Sequence, residues 1–146
     1  MPPEIIFNVT QPLALFGWLL LLFAPLIPTL ADRIAGFAIP ILLALVYAVM
    51  LIIYLPESEG GFTSLPEIMK LFTVPGLAMT GWLHYLAFDL FIGGWEVRTA
   101  RREGIAHWQV LPCLALTLLA GPIGLMLFLA LRAWRKKTGS RYSTAE

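Results

Sequence analysis

The sequence predicts an all-α polytopic membrane protein: four transmembrane helices, with a short interfacial helix between the second and the third. Two observations predict it. The chain of 146 residues is 59% hydrophobic and 13% charged, with a mean hydropathy of +0.81, against roughly 45–50% apolar and about 25% charged residues in soluble domains. Its apolar residues also fall into uncharged runs of membrane-spanning length, separated by short polar joints. No room remains for a soluble domain, so residues 1–146 form one bundle. The net charge of +1 gives no basis for nucleic-acid binding. The basic residues gather at Arg98–Arg102 and in the C-terminal tail, without interleaved aromatics. The single cysteine, Cys113, excludes an internal disulfide and any multi-cysteine metal site.

The first span is residues 13–31, preceded by an N-terminus with no basic region of the kind a cleaved signal carries. Pro25 and Pro28 kink this span or finish it early. Asp32-Arg33 reads as a tight polar turn, and residues 34–54 as the second span. The connection that follows opens with turn chemistry, PESEGGFTS. It then becomes an amphipathic segment at 65–73, with Ser64 as a candidate cap, Pro66 in the first turn and Glu67 beside it. The third span is 76–95. Arg98, Arg101, Arg102 and Glu103 read as a charged loop, and the fourth span is 110–131, interrupted at Gly121-Pro122-Ile123-Gly124. Residues 138–146 are a polar tail. Four spans put both termini on one face, and six basic residues against four place that face in the cytoplasm.

The third span carries the chemistry. An ionisable group at bilayer depth costs roughly 2.5–3.5 kcal/mol, yet His84 and Asp89 lie inside this apolar run and Glu96 ends it. Trp82, Tyr85, Asp89, Gly93 and Glu96 share one helical stripe. Asp89 and Glu96 are two turns apart, about 10 Å of rise, which suits contacts to separate atoms of a long ligand. His84 lies about 140° around the axis from Asp89. His84, Asp89 and Glu96 are the candidate catalytic residues. Trp82, Tyr85, Glu67, Lys70 and His107 are the candidate substrate-binding residues, with His107 placed to meet Glu96. Asn8, Thr10, Gln11, Gln109 and Thr117 are further polar groups in reach. The spacing fits no metal motif, and no metal is expected.

The pattern Trp82-x-His84-x-x-Ala87-x-Asp89-Leu90-Phe91 resembles the ABA4-like proteins, the family of the plant membrane protein needed for neoxanthin synthesis. Leu65, Pro66, Glu67 and Lys70, and the run from Cys113 to Gly124, add to the resemblance. It implies an epoxide-opening isomerase acting on a carotenoid within the bilayer, with Asp89 or Glu96 as acid and His84 as base. Carotenoid is then the substrate or a bound pigment. The chain departs from the plant pattern in lacking a transit peptide and in Gly93-Gly94-Trp95-Glu96. The competing reading is a non-catalytic pigment-binding or accessory subunit of a larger membrane complex, for example a photosynthetic one, or of a homo-oligomer. The setting is the bilayer of a bacterial inner or photosynthetic membrane. A proton pathway through His84 and Asp89 ranks last, because the first two spans offer almost no polar lining.

Overall fold

The computed structural model describes residues 2–143, and every regular element among them is helical. α1 runs Pro3–Leu22, with Pro3 in the first turn, where a missing N–H costs nothing. It starts ten residues before the expected span and also ends earlier. Pro25 and Pro28 follow, and residues 23–27 form a turn.

α2 (Pro28–Leu30), a π-helical stretch (Ala31–Ala38) and α3 (Ile39–Tyr54) run on as one helical rod, Pro28–Glu57. The Asp32-Arg33 turn expected from sequence is therefore wrong. Asp32 needs no loop, because it is ion-paired and hydrogen-bonded to Arg101 across the bundle.

α4 (Leu65–Leu71) is a short helix within the expected 65–73 segment; it buries Leu71 and ends two residues before the expected boundary. Ser64 precedes it without a side-chain capping bond. Glu67 instead accepts from the Thr63 hydroxyl at 2.6 Å and the Thr63 N–H at 3.3 Å, tying the incoming loop to the helix.

α5 (Pro75–Arg102) is the axis of the fold: 28 residues, about 42 Å long. Arg98, Arg101 and Arg102 lie within it rather than in a loop, and the true joint is 103–106 with Gly104 at φ +67°. α1 runs parallel to α5. Trp82 donates to Gln11 at 2.9 Å, Gly17 sits under Leu90, and Gly93 sits under Trp18. The α2–α3 rod runs antiparallel to α5. Tyr54 covers Gly76 at one end, and Gly36 meets Gly94 near the other. A Cβ on Gly94 would stand 2.7 Å from the Gly36 Cα, so glycine is required for that approach.

The stretch expected as a fourth span, 110–131, is two helices. α6 (His107–Ala120) ends at Gly121, whose φ of +22° and ψ of −83° reverse the chain, and α7 (Pro122–Ser143) returns. Gly124 lies on the Thr117 backbone seven residues back, a contact that only a hairpin makes. Phe128 of α7 packs on Trp95 and Arg132 bonds Glu103, so α7 returns toward the C-terminal end of α5. Residues 144–146 of the expected tail lie outside the described residues, and residues 138–143 continue α7.

Two stretches, Pro3–Leu22 and Pro28–Glu57, are long and apolar enough to cross a membrane. Large apolar side chains cover the outside of the bundle, among them Leu26, Ile52 and Leu119, each at least three-quarters exposed.

The hairpin is held at its open end by Glu103. Its carboxylate accepts from Arg132 Nε at 2.8 Å and from Arg132 Nη2, with Lys136 Nζ 3.7 Å away. The Arg132 hydrogen bond holds the Glu103 carboxyl below its usual range. A depressed carboxyl adds stability above its unfolded value of 4.5 and loses it as pH falls through the lower folded value. Glu103→Gln should therefore lower the melting temperature at pH 6, and the gap to wild type should be smaller at pH 3. Thermal unfolding in detergent at the two pH values checks this. An equal gap at both would remove Glu103 as the acid-sensitive group.

Candidate functional site

The reversal at Gly121 occurs halfway along α5. Asp89 is fourteen residues after Pro75 and thirteen before Arg102, about 20 Å of rise from either end. There the tip of the hairpin closes on the Asp89 carboxylate. A Cβ on Gly121 would stand 2.7 Å from Asp89 Oδ1. The last carbonyls of α6 lose their helical partners at the turn. Thr117 O takes the Gly121 N–H at 3.0 Å, and Leu118 O accepts from the Tyr85 hydroxyl. Tyr85 also stacks on Trp82, with ring centroids 5.0 Å apart.

Two turns further along α5, Glu96 is fully buried. The Thr117 hydroxyl donates to Glu96 Oε1 at 3.0 Å. Asp89 and Glu96 thus lie on one face of α5, two turns apart. Asp89 Oδ2 and Glu96 Oε2 are both buried and find no hydrogen-bond partner among the described residues. An unanswered buried polar atom costs about 1–3 kcal/mol, more when charged. Such atoms are accounted for by a proton or by a group brought in from outside.

The structure thus brings together Asp89, Glu96 and Tyr85 of the expected set, with Thr117 from α6. It does not bring the others to them. His84 faces the opposite side of α5, stacked on Phe88 at 4.6 Å and tilted against Tyr47 at 5.7 Å. Glu67 is engaged with Thr63, and Lys70 is exposed on α4. His107 does not meet Glu96. Its Nε2 lies 3.0 Å from the carbonyl of Leu22 at the end of α1, whose last carbonyls also lack helical partners. Trp82 holds α1 through Gln11. Among the described residues no three His, Cys, Asp or Glu side chains group as a metal site.

Arg98 is the residue that sequence reasoning missed. Its guanidinium lies over Phe37, 4.5 Å from the ring centroid, beside the Gly36–Gly94 contact. Nη1 is buried without a partner among the described residues. The glycine pair was the available signal, since two glycines on facing helices leave room for a side chain to lie flat between them.

Fold and site define a helical bundle in which one long helix carries a carboxyl pair sealed by a helical hairpin. The chain belongs to the ABA4-like family (ABA DEFICIENT 4-like), which matches residues 5–128. Comparison with curated proteins and with solved structures returned no match.

Proposed function

We propose that the chain is an integral membrane protein with three crossings and one re-entrant hairpin, and that it performs proton transfer on an apolar polyene. The crossings are α1, the α2–α3 rod and α5. α6 and α7 enter from one face, turn at Gly121, and leave by the same face. The distribution of cations supports this topology. Of the ten lysines and arginines, all but Lys70 then fall at the end of the bundle that holds Arg102 and Arg132. Four full crossings divide them six to four. By the positive-inside rule the Arg102 end is cytoplasmic. The C-terminus is then cytoplasmic, and the N-terminus lies on the other side.

This topology makes a binary prediction. In a Cys113→Ala background, Glu4→Cys and Lys137→Cys should react with an impermeant maleimide from opposite faces of the membrane, Glu4→Cys from outside intact cells. Labelling of both from one face would restore four crossings.

The chemical reading is carried by one observation: two acidic side chains on one face of α5, each with a buried oxygen that no described residue answers. The resemblance to neoxanthin-synthesis proteins supplies the reaction class, opening of a carotenoid epoxide to an allenic alcohol. That conversion is an isomerisation. A proton goes to the epoxide oxygen as its C–O bond breaks, and a proton leaves a carbon of the polyene. One carboxyl gives a proton and the other takes one, so the proton count of the pair is unchanged and no oxidant is needed; a proton passing from the second carboxyl back to the first then resets the site. His84 lies across α5 from the pair, so Asp89 and Glu96 are the acid–base couple. Tyr85 and Thr117 position the tip of the hairpin and Glu96.

Expression in a host that makes epoxy-carotenoids tests the reading. A new pigment of unchanged mass should appear on chromatography with wild type and be absent with Asp89→Asn. An unchanged profile, with the protein folded in the membrane, would move the assignment to a pigment-binding or accessory subunit.

A further inference from the structure

His84 is left without a role by the carboxyl site, and so is α4. The two meet at a second cavity. It has a volume of about 340 Å³ and lies between α3, α4 and α5, on the side of α5 away from Glu96. Tyr47, Phe62, Phe72 and Leu71 supply apolar and aromatic walls, with His84 on the α5 side. Gly81 keeps this wall low, since a Cβ there would stand 2.8 Å from the Phe72 ring. Phe62 and Phe72 are themselves exposed, so the cavity opens sideways between α4 and the bundle.

His84 is nine residues into α5, about 13 Å below its start. In the topology above that depth is inside the hydrocarbon. There the imidazole is exposed, and its contacts are with the rings of Phe88 and Tyr47. Ring contacts leave the ring nitrogens unsatisfied. The Thr80 hydroxyl on the inner wall is spent on the Gly76 carbonyl at 2.8 Å. The cavity therefore offers flat apolar walls with two groups able to hydrogen-bond, the His84 imidazole and the Tyr47 hydroxyl. Such a set selects a ring that bears an oxygen and is attached to an apolar chain. The volume holds a six-membered ring with its substituents and the first part of such a chain.

We infer that the cavity beneath α4 is a second binding site, for the oxygen-bearing ring end of a bilayer-soluble amphiphile, with His84 as its hydrogen-bonding group. The shared chemistry is an oxygenated ring on an apolar tail. A hydroxylated carotenoid and a quinone both present it. The inference rests on the membrane reading but not on the carboxyl chemistry. α4 is then the outer wall of the site, seated through its buried Leu71.

The test is binding to the purified full chain in detergent. Three probes are used: zeaxanthin, with a hydroxyl on each ring; β-carotene, the same skeleton without oxygen; and a short-chain ubiquinone. Zeaxanthin or the quinone should bind at least about tenfold more tightly than β-carotene, as one buried hydrogen bond gives. His84→Phe keeps the ring stacking and removes the nitrogens, and it should erase that preference. Gly81→Val, which crowds Phe72 into the cavity, should weaken every bound probe. Which oxygenated probe responds identifies the ligand source. Equal binding of all three probes to wild type would overturn the inference. So would an unchanged preference in a folded His84→Phe variant, or unweakened binding in a folded Gly81→Val variant. Failure of pigment conversion with His84-dependent binding intact would instead count against the carboxyl mechanism alone.

Discussion

Glu96→Gln should cost at least about a hundredfold in pigment conversion, the lower range for loss of a general acid or base, while leaving the bundle as stable as wild type. The amide keeps the shape of the carboxyl and keeps an oxygen to accept from Thr117, so the 3.0 Å bond survives. It cannot give and take a proton. Glu96→Ala makes the complementary case. It leaves a cavity at a fully buried position and strands the Thr117 hydroxyl. We expect it to destabilise by about 2–4 kcal/mol, from the void together with the unanswered donor. Thermal unfolding in detergent and chromatography of extracted pigments separate the two effects. A Gln variant that converts pigment normally would remove Glu96 from the chemistry, whatever the Ala variant does to the fold.

The seven-residue spacing of Asp89 and Glu96 was enough to place both on one face of a helix, because the α-helical period is local. The same holds for α4, whose Pro66 and Glu67 mark its first turn. What failed was information held by distant partners. Asp32-Arg33 looks like a loop until Arg101, 69 residues away, supplies an ion pair. His107 has the right type and side for Glu96, but the orphan carbonyl of Leu22 takes it, and Thr117 takes Glu96. The Gly121-Pro122 interruption was visible, and its meaning was not. Glycine permits a kink or a reversal equally, and the choice lies in a pair of dihedral angles and in the surface it lands on. That choice also governs the charge count. With a hairpin, the C-terminal cations join those of α5 at one end instead of opposing them.

Gly121 is therefore a residue whose replacement should damage the fold on two counts. Its φ of +22° is strained for any L-residue, and a methyl group added there meets the Asp89 carboxylate at 2.7 Å. Strain of about 1–3 kcal/mol adds to overpacking of about 1–3 kcal/mol. Gly121→Ala should thus destabilise by roughly 2–6 kcal/mol. Gly104 provides the control. It too has positive φ, +67°, but a Cβ there meets nothing within 4 Å. Gly104→Ala should cost only the backbone penalty, about 1–2 kcal/mol. The difference between the two variants isolates the contact of the hairpin tip with Asp89. Adding Asp89→Ala to Gly121→Ala should recover part of the loss by making room for the methyl group. Denaturant or thermal unfolding of wild type, Gly121→Ala, Asp89→Ala and the double variant measures the coupling, with Gly104→Ala run beside them. Equal costs for Gly121→Ala and Gly104→Ala, with no recovery in the double variant, would mean that the turn does not rest on Asp89 and that the carboxyl pair is not sealed by the hairpin.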